Sequence, residues 1–363
     1  MSIAEIDAGV CYVTFAYDVA RSLDLEIADR RIHETTRRPG IRHRRRTPTY
    51  FQYEPAPLWI SRDCDSIPIG RFATRPAADL VLYDFGAVAV TYALPLTGQF
   101  DDLLDLSEGL YDNETLLADS RRRVRQIMDL IGDAAHQADL SPIVEDYVIF
   151  HLERFVETVD AQSFCAAQRR GIAQILRAER QPLSNEEADD AFAARISYGQ
   201  RDITIVDWNA ALVIDPDGED VRAVLEFANV ELLEMRYLDQ QLDRALDESY
   251  EQLSRRKGGL RRLLGYSGAD LRRVAELQVD NAILFEGVNN TLKLLGDQYL
   301  ARVYRLVNRR FHIEDWDTSI LRKLQTLESI YEKISDQAAN RRLEILEWII
   351  VILIALSIGL EFV

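Results

Sequence analysis

Hydrophobic and polar residues follow two different patterns along the chain, and the pattern changes at residues 215–218. Before this point, short runs of β-branched and aromatic residues alternate with segments whose apolar residues recur every three or four positions. Runs of the first kind are typical of strands, and segments of the second kind are typical of helices. Strands are therefore predicted at 9–17, 50–53, 58–60, 79–93, 145–152 and on both sides of 207–209, and helices at 18–33, 100–110, 114–137, 160–180 and 185–195.

The first part of the chain is predicted to be an α+β head domain over residues 1–218. Its element order, β-α-β-β-α-β, indicates an antiparallel sheet with helices on one face, of ferredoxin-like type. Residues 84–86, Asp-Phe-Gly, divide the 79–93 segment into the two strands of a hairpin. The sequence Asp-Pro-Asp-Gly at 215–218 is a turn signal and ends the domain.

Three long helices are predicted after this turn, with almost no strand signal. They run to about Arg256, from about Ser267 to Arg310, and from about Asp315 into the end of the chain. Spacings of four and three residues alternate in the second and third helices, as in coiled coils. In the third helix the repeat comprises Ile320, Leu324, Leu327, Tyr331, Ile334, Ala338, Arg341 and Ile345. We therefore expect an antiparallel helical stalk over 219–340, whose apolar seam packs within one chain or also pairs subunits in a homo-oligomer.

The last segment, 341–363, is predicted to be a C-terminal transmembrane helix. Arg341 and Arg342 precede it, Trp348 stands at its start, and no charge occurs from Trp348 to Leu360. Ala355 and Gly359 form a small-residue pair of the kind that lets helices approach closely. The flanking arginines place the preceding chain in the cytoplasm of a bacterium, with a single pass through the inner membrane. The alternative is a buried terminal helix, because these 13 uncharged residues span only roughly 20 Å, against ~30 Å of hydrocarbon.

Net charge bears on the partners that the protein can have. The value of −17 argues against a general nucleic-acid binder. Arginine is nevertheless concentrated between residues 37 and 46, where Arg42, Arg44, Arg45 and Arg46 are candidate polyanion contacts. Guanidinium groups in a loop suit the phosphates of RNA, including a ribosome, or of anionic lipid. A solvated loop that balances an acidic protein is the third reading.

No catalytic constellation stands out in the sequence. The cysteines have no paired spacing, and the histidines lack the spacing of a metal site. Nucleotide-binding loops and nucleophile elbows are also absent. We therefore expect a non-enzymatic protein without a cofactor or metal, and no small-molecule substrate is identified. One candidate head site remains, formed by Asp207, Trp208 and Asn209, and its alternative is a hairpin turn with a packed indole.

Two segments carry a family resemblance: VLEFANVELLEMRYLDQQLD, beginning at Val224, and RRLEILEWIIVILIALSIGLEFV, beginning at Arg341. They resemble the "required for meiotic nuclear division" (Rmd/Sif-type) family in its bacterial version. The resemblance implies a membrane-anchored, self-associating protein. Mitochondrial members support organelle translation by holding ribosomes at the inner membrane. This chain has an acidic N-terminus rather than a transit peptide, so that location is not carried over, and the family supplies no catalytic residues.

These patterns predict a tail-anchored, self-associating scaffold that tethers a cytoplasmic, translation-related partner to the inner membrane. The first alternative is a membrane-bound enzyme or small-ligand sensor with a pocket near Asp207–Asn209. The second is an oligomer that binds anionic lipid and organises the membrane.

Overall fold

The protein is described here by a computed structural model covering residues 4–35, 41–42, 55–255 and 298–361. The described residues form two compact units. The first comprises those within Met1–Tyr237 and Ile283–Glu314, and the second comprises those within Leu238–Ala282 and Asp315–Val363. The predicted domain boundaries at 218 and 340 stay predictions.

The first unit is a mixed α/β fold built on a large, mainly antiparallel sheet. Its strands are β1 (Glu5–Asp18), β2 (Ala20–Leu23), β3 (Ile41–Arg42), β4 (Leu58–Asp63), β5 (Pro68–Ile69), β6 (Phe72–Ala73), β7 (Ala77–Leu82), β8 (Ala87–Gln99), β9 (Ala135–Ala138), β10 (Val144–Phe155), β11 (Arg195–Ile196), β12 (Ile203–Val206) and β13 (Ala210–Ile214). The helices of the described chain are α1 (Leu25–Thr35), α2 (Asp102–Leu110), α3 (Glu114–Ile131), α4 (Ala161–Ala167), α5 (Arg169–Arg177), α6 (Asn185–Ala191), α7 (Glu219–Arg255), α8 (Gln298–Arg310) and α9 (Ile313–Glu361).

The main sheet has the strand order β11-β12-β13-β10-β1-β8-β7-β4-β3, and β1 lies in its middle. Strand β1 pairs antiparallel with both β8 and β10. Among the described strands, only β13 joins its neighbour β10 in parallel, and the connection between these two strands runs through α4, α5, α6, β11 and β12. The hairpin predicted at 84–86 is confirmed, since β7 and β8 pair antiparallel across it.

The two faces of this sheet differ in character. One face carries a continuous apolar core with α1 to α6, to which alternate β1 residues such as Val13 and Phe15 contribute. The opposite face packs on the first part of α7 and on α8, as the Tyr83–Phe227 ring contact shows. Buried polar side chains are concentrated on this second face: Thr14, Thr91, Glu145, His151, Thr204, Glu226, Asn229, Glu231 and Glu234.

The helix predicted over residues 18–33 is only partly correct. Residues 20–23 form β2, which pairs with β9, and the helix α1 begins at Leu25. Asp24 accepts a hydrogen bond from the backbone of Ile27 (2.9 Å), an interaction typical of a helix N-cap. The strand predicted at 50–53 lies outside the described residues, as does most of the helix predicted from Ser267 to Arg310, of which α8 is described.

In the second unit, the later part of α7 packs against α9. The heptad positions Ile320, Leu324, Leu327 and Tyr331 are all buried there. Lys323 Nζ lies 2.7 Å from a carboxylate oxygen of Asp239 and 2.6 Å from one of Asp243, while Tyr331 Oη accepts a hydrogen bond from Ser249 (3.4 Å). Later residues of α7 therefore meet later residues of α9, and the two segments run in the same direction.

The predicted transmembrane helix is wrong. Within the part of the chain that the structure describes, no helix is long and apolar enough to cross a membrane. The uncharged run from Trp348 to Leu360 is shorter than a typical span, as its estimated length of roughly 20 Å indicates. The anchor roles assigned to Arg341, Arg342, Trp348, Ala355 and Gly359 are withdrawn together with the span. The Trp348 side chain is exposed, and the other four residues lie in parts of α9 where only the backbone is described.

Candidate functional site

The hairpin between β12 and β13 carries a completely buried carboxylate, Asp207. Arg177, at the end of α5, donates through Nε to Asp207 Oδ2 (2.9 Å). Arg310, at the end of α8, donates through Nε to Asp207 Oδ1 (3.0 Å). Tyr147 on β10 donates its hydroxyl to the Asp207 carbonyl (2.8 Å), so elements from four parts of the chain meet at this turn.

A second carboxylate, Asp190 on α6, completes this Asp207 network. Arg177 Nη2 and Arg310 Nη2 lie 2.6 and 2.7 Å from the same Asp190 oxygen. Hydrogen bonds from Arg310 hold the pKa of Asp190 below its usual range, and Glu187 also pairs with Arg177. Both oxygens of Asp207 are therefore engaged by cations, and the network acts as a structural connection rather than an open ligand site.

The predicted head site, formed by Asp207, Trp208 and Asn209, is located at this hairpin, and its role as a ligand pocket stays a prediction. The Trp208 indole is half exposed instead of packed, and its backbone NH donates to Asp207 Oδ1 (2.8 Å). The Asn209 carbonyl accepts from the Val148 backbone (3.4 Å), which fixes the strand register. The sequence pattern correctly predicted that Asp207 lies in a turn. It did not predict the contacts with Arg177, Arg310 and Asp190, because these residues come from distant segments of the chain.

A cavity of about 420 Å³ lies elsewhere in the first unit, between α4, α5 and the segment that links α6 to β12. Its walls include Cys165, Arg169, Phe192, Arg195, Ser197 and Ile203. Burial raises the pKa of the Cys165 thiol to about 12, so the thiol is neutral at pH 7. Sequence reasoning missed this cavity because none of these residues forms a recognisable motif.

The helix α9 carries an exposed apolar segment, which comprises Leu346 and residues 348–353. Trp348 is 67% exposed and Leu353 is 60% exposed. Since these residues are consecutive on a helix, their side chains point in every direction around its axis. We call this stretch the apolar segment of α9.

The candidate polyanion residues fall largely outside the described chain. Arg42 lies in the edge strand β3, where its backbone is in register with Ser61 of β4, and its side chain is not described. Arg44, Arg45 and Arg46 lie outside the described residues. Across the described ranges, no group of three His, Cys, Asp or Glu side chains is placed to hold a metal ion.

Comparison with known proteins supplies a family. A family model described as "Uncharacterized protein MJ0711, N-terminal domain" matches residues 8–220, more than half of the chain. The "Uncharacterized protein MJ0711" of Methanocaldococcus jannaschii is 24% identical over 218 residues, which are 59% of this chain. The chain spans 65% of the length of that relative, and no solved structure matches. The matched region contains the cavity and all of the main sheet except the first three residues of β1, and the chain belongs to the MJ0711 N-terminal domain family.

Proposed function

We propose that this protein is a non-enzymatic, self-associating scaffold, in which the apolar segment of α9 joins two or more copies of the chain. The observation that carries the proposal is the exposure of Leu346 and residues 348–353 at the end of a 49-residue helix. Proteins that remain monomeric rarely expose so many contiguous large apolar side chains. Because these side chains are already about half buried, covering the rest of each would contribute about 1 kcal/mol, which favours an assembled state.

A second copy of the chain is the partner that the pattern favours. The heptad positions that pack α9 against α7, from Ile320 to Tyr331, continue in sequence through Ile345 to the apolar segment. Helices with such a seam associate through like positions, and a symmetric assembly places the same apolar side chains against each other. Because the side chains point around the whole axis, one neighbouring helix covers only part of them, which favours an assembly of more than two helices.

The fold of the head supports a finer assignment within this proposal. The four strands β10-β1-β8-β7 have the relative order 4-1-3-2 and are antiparallel throughout, as in a ferredoxin-like sheet. The strands beyond them on both sides are additions to that unit.

The polyanion contact of Arg42 and Arg44–Arg46, the translation-related partner, the cytoplasmic location and the resemblance to the Rmd/Sif-type family stay predictions.

Sedimentation velocity on the purified full chain, over a wide concentration range, tests the proposal. The wild type is expected to form a discrete oligomer. The double substitution Ile349→Glu and Ile352→Glu places charges at two positions of the apolar segment, and it should raise the dissociation constant by about 100-fold or more. Both side chains are about half exposed within one chain, so the fold itself should persist.

Leu321→Glu is the matched control, because Leu321 is also an exposed apolar residue of α9 but lies outside the apolar segment. This control should assemble like the wild type, and circular dichroism should show the same helix content in all three proteins. A wild type that is monomeric at every concentration, or that forms only polydisperse aggregates, would overturn the proposal.

A further inference from the structure

The cavity between α4 and α5 is a formed space with two arginines and an apolar wall. At about 420 Å³ it lies within the ~300–1,000 Å³ typical of small-molecule sites. It is separate in composition from the Asp207 network, since neither Asp207 nor Arg177 nor Arg310 lines it. Helix α6 contributes one residue to each site: Asp190 belongs to the Asp207 network, and Asp189 pairs with Arg169 at the cavity.

Only some of the hydrogen-bond donors of Arg169 have a partner in the described structure. One of its Nη atoms pairs with Asp189, and its guanidinium lies 5.6 Å from the centre of the Phe192 ring. Its Nε is buried and has no hydrogen-bond partner among the described residues. A buried guanidinium donor without an acceptor is energetically costly, so the hydrogen-bonding capacity of Arg169 is not fully used by Asp189.

Arg195 adds a second positive group on the cavity wall. Within the described parts of the chain, its side chain has neither an ion pair nor a hydrogen bond. Its charge also acts to lower the pKa of Cys165, although burial outweighs this influence and keeps the thiol neutral. Two guanidinium groups therefore border one space, and among the described residues the only carboxylate paired with either of them is Asp189.

The remaining walls are suited to an uncharged, apolar body. Phe192, Ile203 and Cys165 are all buried and line the cavity. At the polar side, Gln162 Nε2 donates to Ser197 Oγ (3.3 Å), and both residues also line the space. The charge of −17 repels anions from the protein as a whole, so any anion that binds must be attracted locally.

We propose that this cavity is a binding site for a small organic oxyanion, whose carboxylate or phosphate is held by Arg169 and Arg195 and whose apolar body lies against Phe192 and Ile203. Guanidinium groups recognise both oxyanions through paired N–H donors. The neutral Cys165 thiol forms part of the apolar wall and takes no chemical role.

Ligand-observed NMR titrations of the full chain test the site with four probes: benzoate, phenyl phosphate, the neutral analogue benzamide, and inorganic phosphate. Benzoate or phenyl phosphate is expected to bind saturably, and the tighter of the two identifies the class of oxyanion. Benzamide should bind at least ten-fold more weakly. Inorganic phosphate that binds as tightly as both organic probes would overturn the assignment of an apolar body.

Arg195→Gln should weaken binding of the better probe at least ten-fold, and its fold should be unaffected because Arg195 has no described partner. Arg170→Gln is the matched control: Arg170 lies next to Arg169 on α5, but its guanidinium donates to Asn185 (2.9 Å) and does not line the cavity. It should leave affinity unchanged. Absence of saturable binding, equal loss in both variants, or equal affinity for benzamide would overturn the proposal.

Discussion

Glu145, at the start of β10, illustrates how single residues on the polar face of the sheet are balanced between burial and pairing. Its side chain is almost completely buried, yet it forms an ion pair with Arg236 of α7. Burial dominates and raises the pKa of Glu145 to about 7, although Arg236 acts in the opposite direction. Its backbone carbonyl also accepts a hydrogen bond from Asn229 (3.3 Å), so the strand is attached to α7 at this position.

This raised pKa predicts a pH-dependent stability. Because the folded pKa of Glu145 lies above the ordinary value of 4.5, the folded state holds the proton to higher pH than the unfolded state. The contribution of Glu145 is therefore fully present below pH 4.5, and up to about 3 kcal/mol is lost as the pH rises through 7. Glu145→Gln should remove this loss, and urea unfolding at pH 5 and pH 8 measures it.

The exposed residue Glu157 provides the control, and Glu157→Gln should follow the wild type at both pH values. Identical pH dependence of unfolding in the wild type and in Glu145→Gln would contradict the expectation. It would mean that the ion pair with Arg236, and not burial, decides the charge of Glu145.

The residues of the Asp207 network show what a sequence reveals at this scale. The apolar strands around residues 207–209 placed Asp207 in a turn, because strand patterns are local. Its partners come from other elements: Arg177 from α5, Asp190 from α6 and Arg310 from α8. These residues are distant from Asp207 in sequence, so no local sequence pattern predicts the contacts.

Among the elements, the turn between β7 and β8 depends most strictly on one residue. Gly86 has φ +106°, and a Cβ atom there would lie 1.7 Å from the Ala20 carbonyl oxygen. The Gly86 carbonyl accepts from the Val19 backbone (3.0 Å), so the turn is held against the β1–β2 segment. No side chain larger than that of glycine fits without moving this segment.

Gly86→Ala should therefore destabilise the protein by about 2 kcal/mol or more, through both the contact and the positive φ. Gly70→Ala separates the two causes, since Gly70 also has a positive φ (+58°) but open space around it. Its cost should be about 1 kcal/mol. Urea denaturation of the two variants is the measurement, and an equal cost would show that the close approach to Ala20 is relieved elsewhere.

Helix and strand types were predictable where the pattern was long and local, as in the 84–86 hairpin and the heptad seam of α9. The prediction failed at 20–23, where apolar spacing indicated a helix. These residues form β2 because they pair with β9, more than a hundred residues later. Backbone pairing with β9 made residues 20–23 a strand, and a local sequence pattern gives no information about such a distant pairing.

On the scale of the whole molecule, net charge and self-association act against each other. Each chain carries −17, so copies that assemble through the apolar segment of α9 repel each other. Salt screens this repulsion, since the Debye length falls from about 30 Å at 0.01 M to about 10 Å at 0.1 M. The dissociation constant of the oligomer should therefore fall several-fold over this range.

Sedimentation velocity at the two salt concentrations measures this change. A dissociation constant that rises with salt would instead indicate that ion pairs hold the copies together. At this scale the sequence predicted a sheet-based head followed by long helices. The predicted transmembrane helix was wrong, because the uncharged run from Trp348 to Leu360 is shorter than a typical span and no helix of the described chain is long and apolar enough to cross a membrane.

The central position of β1 has a consequence for how the protein is made. Strand β1 leaves the ribosome before both of its neighbours, β8 and β10, and β10 begins only at Val144. At about 5–20 residues per second, on the order of 10 s passes before that partner exists. Strand β8 is complete at Gln99, so until β10 follows, the largely apolar fourteen-residue strand β1 keeps one unpaired edge, and nascent chains with such edges are prone to aggregate.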